Sequence, residues 1–290
     1  MELSTKKKGI ACVISAAFFF SLMTVMVHLA GDLPTMQKTL FRNLVAAIIA
    51  WGMLFAERKP IHIQKRDVPD LLMRSICGTL GMICNFYAID RLNISDANML
   101  NKLSPFFAML MSIVVLKEKA SKKEWMIVGV AFIGALFVIK PSFSMDAMPA
   151  FLGALGGLGA GIAYTYVRKL GKKGVTGPIV VMFFSTFSTL FCLPFFLFTY
   201  EPMTLQQLLC LCGAGLAAAG GQLSITAAYT YAPAKEISVY DYTQVIFAAI
   251  WGYFIFGQQP DVFSVIGYVI IIGAAVYRSG ILAKKSKEPE

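Results

Sequence analysis

Apolar stretches of about 20 residues recur along the whole chain, and this recurrence decides what it can fold into. Ten are legible, at 9–30, 38–56, 68–89, 94–116, 124–140, 148–167, 177–199, 207–230, 236–257 and 261–282. Each is about long enough to cross a hydrocarbon core of roughly 30 Å as an α-helix. Composition agrees: of 290 residues, 57% are hydrophobic and only 14% charged, where soluble proteins average about 45–50% and about 25%. So few charges could not cover the surface of a two-domain soluble protein, and so much apolar side chain excludes disorder. Ten spans use about 200 positions, so no sizeable soluble domain is expected. The first run follows Lys6-Lys7-Lys8 like a signal peptide, but it is too long for one and lacks a convincing cleavage site.

The net charge of +10 is distributed by side. With the N-terminus placed in the cytoplasm, 20 of the 26 basic residues fall in the tails and alternate loops on that side. They include Arg58, Lys59, Lys65 and Arg66, then Lys117, Lys119, Lys122 and Lys123, then Arg168, Lys169, Lys172 and Lys173. This is the positive-inside pattern, and it puts both termini in the cytoplasm of a multi-pass cytoplasmic-membrane protein. The charge is a topology signal and implies no nucleic-acid partner. The six cysteines (Cys12, Cys77, Cys84, Cys192, Cys210, Cys212) all lie inside apolar runs, so no disulfide framework is expected.

A shift of 140 residues brings the two halves into register, placing Phe107-Ala108 on Phe247-Ala248, Gly81 on Gly221 and Gly31 on Gly171. One offset aligns spans 1/6, 3/8 and 4/9. Five spans per half is an odd number, so the second copy is inverted. The expected fold is an all-α integral membrane protein of ten transmembrane helices in two inverted five-helix repeats, 1–145 and 146–290. Such repeats recur in secondary transporters, with the cargo site near the midplane between them.

With these features the chain resembles the drug/metabolite transporter superfamily in its ten-span EamA branch. The resemblance covers roughly residues 9–280 and rests on the five-plus-five pattern, Leu40-Phe41-Arg42-Asn43, Pro105-Phe106-Phe107-Ala108 leading to Lys117-Glu118, and paired Gly129/Gly134 and Gly267/Gly273. It departs where the family's second half usually has Pro and Glu, for here stand Val245 and Gln258. A less kinked second repeat is therefore expected. The resemblance implies a small-molecule carrier without choosing the cargo, since members move amino acids, nucleotide-related metabolites, vitamins and drugs. It also implies a gating role for Arg42 at the outer end of span 2.

Polar residues within spans are functional candidates, because unpaired charge in the bilayer is costly. On span 4, Asn98, Asn101, Lys102 and Pro105 share one helical face, with Pro105 expected to kink the helix and free the Asn101 carbonyl. Lys102 lies about 13 Å deep at about 1.5 Å per residue. Its weaker alternatives are an outward snorkel or a purely structural kink. In the 140-residue register span 9 offers Ser238, Asp241, Tyr242 and Val245, with Gln244 close by. Asp241 and Lys102 are expected to meet near the midplane. They either clasp the two ends of a zwitterion, or Asp241 carries a coupling proton, or the pair is structural. Asn85, Tyr164, Gln222 and Tyr229 are further binding candidates. Ser21, Thr24 and His28 share a face of span 1, and Arg74 is expected to snorkel.

No phosphate loop, H-E-x-x-H or paired intramembrane aspartates occur, which disfavours a nucleotide-driven pump and an intramembrane enzyme. A channel or sensor lacks the expected pore repeat or output domain. The reading is a secondary carrier of a small polar metabolite, best an amino acid or similar zwitterion, working by alternating access. Proton coupling and exchange both stay open. Other cargo classes are nucleosides, vitamins, organic cations and carboxylates. No cofactor or metal is called for, and monomer or homodimer is left open.

Overall fold

The computed structural model describes residues 2–56, 63–91, 100–139, 147–257 and 259–285. Among these there is no strand. In chain order the helices are α1 (Glu2–Leu29), α2 (Thr35–Ala56), α3 (Val68–Arg91), α4 (Ser104–Leu116), α5 (Lys122–Ile139) and α6 (Ala147–Lys172). They continue as α7 (Gly177–Thr199), α8 (Leu205–Tyr231), the one-turn α9 (Ala234–Ile237), α10 (Thr243–Phe256) and α11 (Val262–Lys285). By length and composition α1, α2, α3, α6, α7 and α8 are able to cross a membrane, and α4 and α11 are shorter apolar helices.

The surface is that of a protein solvated by lipid. Phe198 is 90% exposed, and Phe254, Val262, Leu205 and Val269 are also turned outward. Gln37, Arg74, Ser185 and Gln222 are buried instead. Water would penalise this arrangement, whereas a bilayer favours it.

Local chemistry sets the helix ends. Thr204 and Gln207 form a reciprocal capping box at the start of α8, each side chain accepting from the other's backbone N–H. α4 ends at Lys117 with φ 55°, and α10 ends at Gly257 with φ 64°. These two left-handed caps are one 140-residue shift apart. Lys117 is the non-glycine residue that adopts such a φ among the described residues.

The most extensive packing joins α1 with α8, α3 with α6, α2 with α7 and α5 with α11. Glycines let α6 lie close to its neighbours. A Cβ on Gly159 would stand 2.7 Å from the Cys77 carbonyl oxygen and from Gly81 Cα. One on Gly161 would stand 2.6 Å from Phe107 Cβ and 2.7 Å from the Ala108 nitrogen. The Gly153/Gly157/Gly161 spacing is thus a packing surface for Leu100 to Ala108, the entry and first turns of α4.

Two expectations about spans 4 and 9 change. The described part of span 4 is helical at Leu100 and Asn101, turns at Lys102 and Leu103, and restarts as α4. Pro105 sits in the first turn of α4, where its missing N–H has no helical partner to lose, so it starts a helix and does not kink one. Asn101, Lys102 and Pro105 therefore do not share a face on a continuous helix. Span 9 is interrupted as well, despite Val245. It consists of α9, a 3₁₀ turn at Ser238–Tyr242, and α10. Thr243 Oγ1 donates to the Tyr240 carbonyl at 2.6 Å, which supports the tightened turn.

Replacing Gly161 with Leu should overpack the α6 contact and cost about 1–3 kcal/mol. Gly129→Ala, where nothing lies within 4 Å of the added Cβ, should be neutral. Thermal unfolding of the two variants in detergent checks the contrast.

Candidate functional site

The two broken segments face each other. Lys102 Nζ donates to Asp241 Oδ2 at 3.1 Å and to Gln244 Oε1 at 2.8 Å. A third, longer contact reaches the Asp241 carbonyl at 3.4 Å. Breaking the helix leaves carbonyls to satisfy, and that of Lys102 accepts from the Tyr242 hydroxyl at 3.1 Å. Lys102 and Tyr242 are 140 residues apart, so counterparts in the two halves bond to each other. The released carbonyl with a visible partner is that of Lys102, one residue beyond the expected Asn101.

A cavity of about 630 Å³ opens beside this pair. It runs from the exposed Gly31 and Asp32, between α1 and α2, down to Arg74 and Gly78 on α3. Of the sequence candidates, Asn85, Asn101, Lys102, Tyr164, Gln222, Asp241, Gln244 and Arg42 line it. So do Thr24 and His28, the latter edge-on to Phe256 at 5.2 Å. Tyr229, Ser238, Tyr242 and Pro105 are buried outside the lining. Tyr229 stacks behind Tyr164 with centroids 4.9 Å apart, and Tyr242 spends its hydroxyl on the Lys102 backbone. Asn98 lies outside the described residues.

Arg74 does not snorkel. It is 2% exposed, its Nη2 donates to Gln222 Oε1 at 2.9 Å, and its guanidinium carbon lies 3.7 Å from the centre of the Phe184 ring. Sequence depth alone suggested an interfacial arginine. The missed signal was Gln222 in the opposite half, which supplies an acceptor deep in the bundle. Phe20, Met23, Met82, Lys38 and Phe184 also line the cavity without having been singled out. Apolar residues at such positions read like ordinary core.

At the opposite end from the mouth, ion pairs close the bundle. Asp70 pairs with Lys169 at 2.8 Å and Lys173 at 2.7 Å. Glu118 pairs with Arg168 and Lys172, Glu124 with Arg278 at 3.1 Å, and Glu236 with Lys6 at 3.3 Å. Each of these pairs joins a residue below 145 to one above it. Lys173, just past the end of α6, is held above the ordinary lysine range by its hydrogen bond to Asp70.

Comparison with known proteins gives the family. The EamA-like transporter family matches residues 7–140 and again 147–279. The chain belongs to that family. It is a multi-pass membrane transporter, with a small-molecule substrate, and the family's members are not enzymes. It is 30% identical over 282 residues to the pseudopaline exporter CntI of Pseudomonas aeruginosa, covering 95% of this chain and 97% of that one. It is 24% identical over 279 residues to the S-adenosylmethionine uptake transporter of Rickettsia prowazekii, covering 95% and 93%. A solved crystal structure shares the fold with a TM-score of 0.81 over 97% of this chain and 99% of its own, at 12% identity.

Lys102→Met would leave the Asp241 carboxylate without its cation and should cost about 3–5 kcal/mol of stability. Lys102→Met combined with Asp241→Leu should recover most of that loss. Thermal unfolding of both variants in one detergent tests the coupling.

Proposed function

We propose that the protein is a secondary carrier that moves an amino-acid-like metabolite by alternating access between two inverted five-helix repeats. The observation that carries this reading is the Lys102–Asp241 pair, at two facing helix breaks, on the wall of a cavity whose lining reaches the exposed Gly31 and Asp32. Discontinuous helices that meet at mid-depth are how such carriers place charge at a cargo site. The two family matches support the repeat reading. So do the contacts of α1 with α8 and α3 with α6, which exchange under the 140-residue shift, and the matched caps at Lys117 and Gly257.

The positive-inside assignment makes the ion-paired end cytoplasmic and the cavity mouth external. The structure then corresponds to an outward-open state with its cytoplasmic side latched. Cargo enters past Gly31 and Asp32 and inserts at the break. Its carboxylate takes Lys102 and its ammonium takes Asp241, which dissolves the internal pair. Loss of that tie between the halves frees them to rock, and the latch opens as the mouth closes. Asp241 is also the group placed to carry a proton on the empty return. Among the relatives are a named exporter and a named uptake transporter. A mid-depth site with a gate at each end serves either direction.

In proteoliposomes, Lys102→Ala and Asp241→Asn should each lower flux at least about tenfold, the loss of about 1.4 kcal/mol. Full flux in both variants at normal expression would end the site reading. Asp70→Asn with Glu118→Gln should raise cytoplasmic accessibility of the thiol of Ser104→Cys, a cavity-lining position, in a chain with the six native cysteines replaced, read by maleimide labelling. Unchanged labelling would remove the latch from the mechanism.

A further inference from the structure

The clasp accounts for one cation and one anion, yet the cavity holds more positive charge than that. Arg42 and Arg74 also line it. Among the described residues neither guanidinium has a carboxylate partner. Arg42, 6% exposed, rests between thioethers, with Nε 2.9 Å from Met23 Sδ and Nη1 against Met82 Sδ. Thioether sulfur is a weak acceptor and does not neutralise a guanidinium. Arg74 has a neutral amide and a ring face as partners, and its buried Nε has none. Below the mouth, where Asp32 and Lys38 offset each other, the wall carries three cations against the single carboxylate of Asp241.

The cations are also ordered along the path. Lys38 and Arg42 are one turn apart on the same face of α2, which starts at the mouth. Arg74 is eight residues before Met82 on α3, about 12 Å along the axis at about 1.5 Å per residue. The series therefore leads from the entrance to the floor, an arrangement that draws an anion inward. A bundle in lipid keeps unpaired charge where something bound there uses it. Guanidinium further favours planar, bidentate acids over other anions.

We infer that the cargo is a small organic anion with two or more acid groups besides its amine, engaged by Arg42 and Arg74 as well as by Lys102. This rests on the cavity being the cargo site and sharpens the substrate class. A neutral amino acid would satisfy Lys102 and Asp241 and leave both arginines uncompensated. An amino diacid fills one of them, and a further acid group fills the other. Carboxylate and phosphate share this chemistry.

The test is binding to the purified full chain by thermal shift, up to millimolar ligand. The probes are L-alanine, L-lysine, L-aspartate, L-aspartate dimethyl ester, O-phospho-L-serine and tricarballylate. Aspartate, phosphoserine or tricarballylate should bind at least tenfold more tightly than alanine, lysine or the diester, and the acids should weaken as salt rises. The better of aspartate and phosphoserine identifies the acid. Arg42→Gln or Arg74→Gln should reduce aspartate and phosphoserine binding at least tenfold, whichever arginine the second acid group engages, and both variants should reduce tricarballylate binding. Arg42→Lys and Arg74→Lys, which keep the charge, should retain part of the preference and guard against misfolding of the Gln variants. Equal binding of alanine and the acids overturns the inference, as does acid binding indifferent to both Gln variants or absence of acid binding altogether. The two readings fail separately. If alanine binding depends on Lys102 and Asp241 but not on the arginines, the carrier site stands and the polyacid does not. If acids bind through the arginines while Lys102→Ala and Asp241→Asn keep full flux, the clasp fails and the anion site stands.

Discussion

A backbone amide inside a bilayer has no water to turn to, and much of this fold follows from that. Most of the chain meets the demand with uninterrupted helices. At Lys102–Leu103 and Ser238–Tyr242 the helix is interrupted, which is tolerable only where other groups take over the freed backbone. Here they do so across the molecule: Tyr242 bonds the Lys102 carbonyl, and Lys102 reaches Asp241 and Gln244. The breaks that make room for a polar site are held together by one another. Glycine contacts along α6 bring the neighbouring segments near enough for this to happen.

The helical, membrane-spanning character was legible because apolar run length is a one-dimensional property. So was the meeting of Lys102 and Asp241, because two buried opposite charges in matched register have strong reason to find each other. The path of the chain at those residues was not legible. Pro105 suggested a kink in span 4, and Val245 suggested its absence in span 9. The actual interruption depends on contacts 140 residues away, which no local propensity reports. Likewise Tyr242 and Asp241 are neighbours in sequence, but one faces the cavity wall and the other packs away from it. A 3₁₀ turn rotates successive residues differently from the α-helix on which the common face was drawn. Arg74 was misplaced for a related reason, since its acceptor Gln222 belongs to the other half.

Electrostatics divides the interior into two regions. The cavity carries positive charge without carboxylate partners, whereas at the opposite end carboxylates are matched to bases across the two halves. The first arrangement suits a transient occupant, because its charge is completed only on binding. The second suits a closure, because its charges complete each other when no cargo is involved.

The closure has a further property. Asp70, Glu118 and Glu124 come from the first half, and the bases that meet them, Arg168, Lys169, Lys172, Lys173 and Arg278, come from the second. Parting the halves would therefore bare these three carboxylates on one wall and their bases on the other, with the Lys6–Glu236 pair running the opposite way. Lys172 and Lys169 are partly exposed, so mobile ions reach this seam, and at physiological ionic strength the field between such walls fades over about 8 Å. The first ångströms of opening carry nearly the whole electrostatic cost, after which the walls scarcely sense each other. Such a seam behaves like a snap fastener, favouring two distinct positions over a continuum, and its stiffness is set in part by the salt of the compartment it faces.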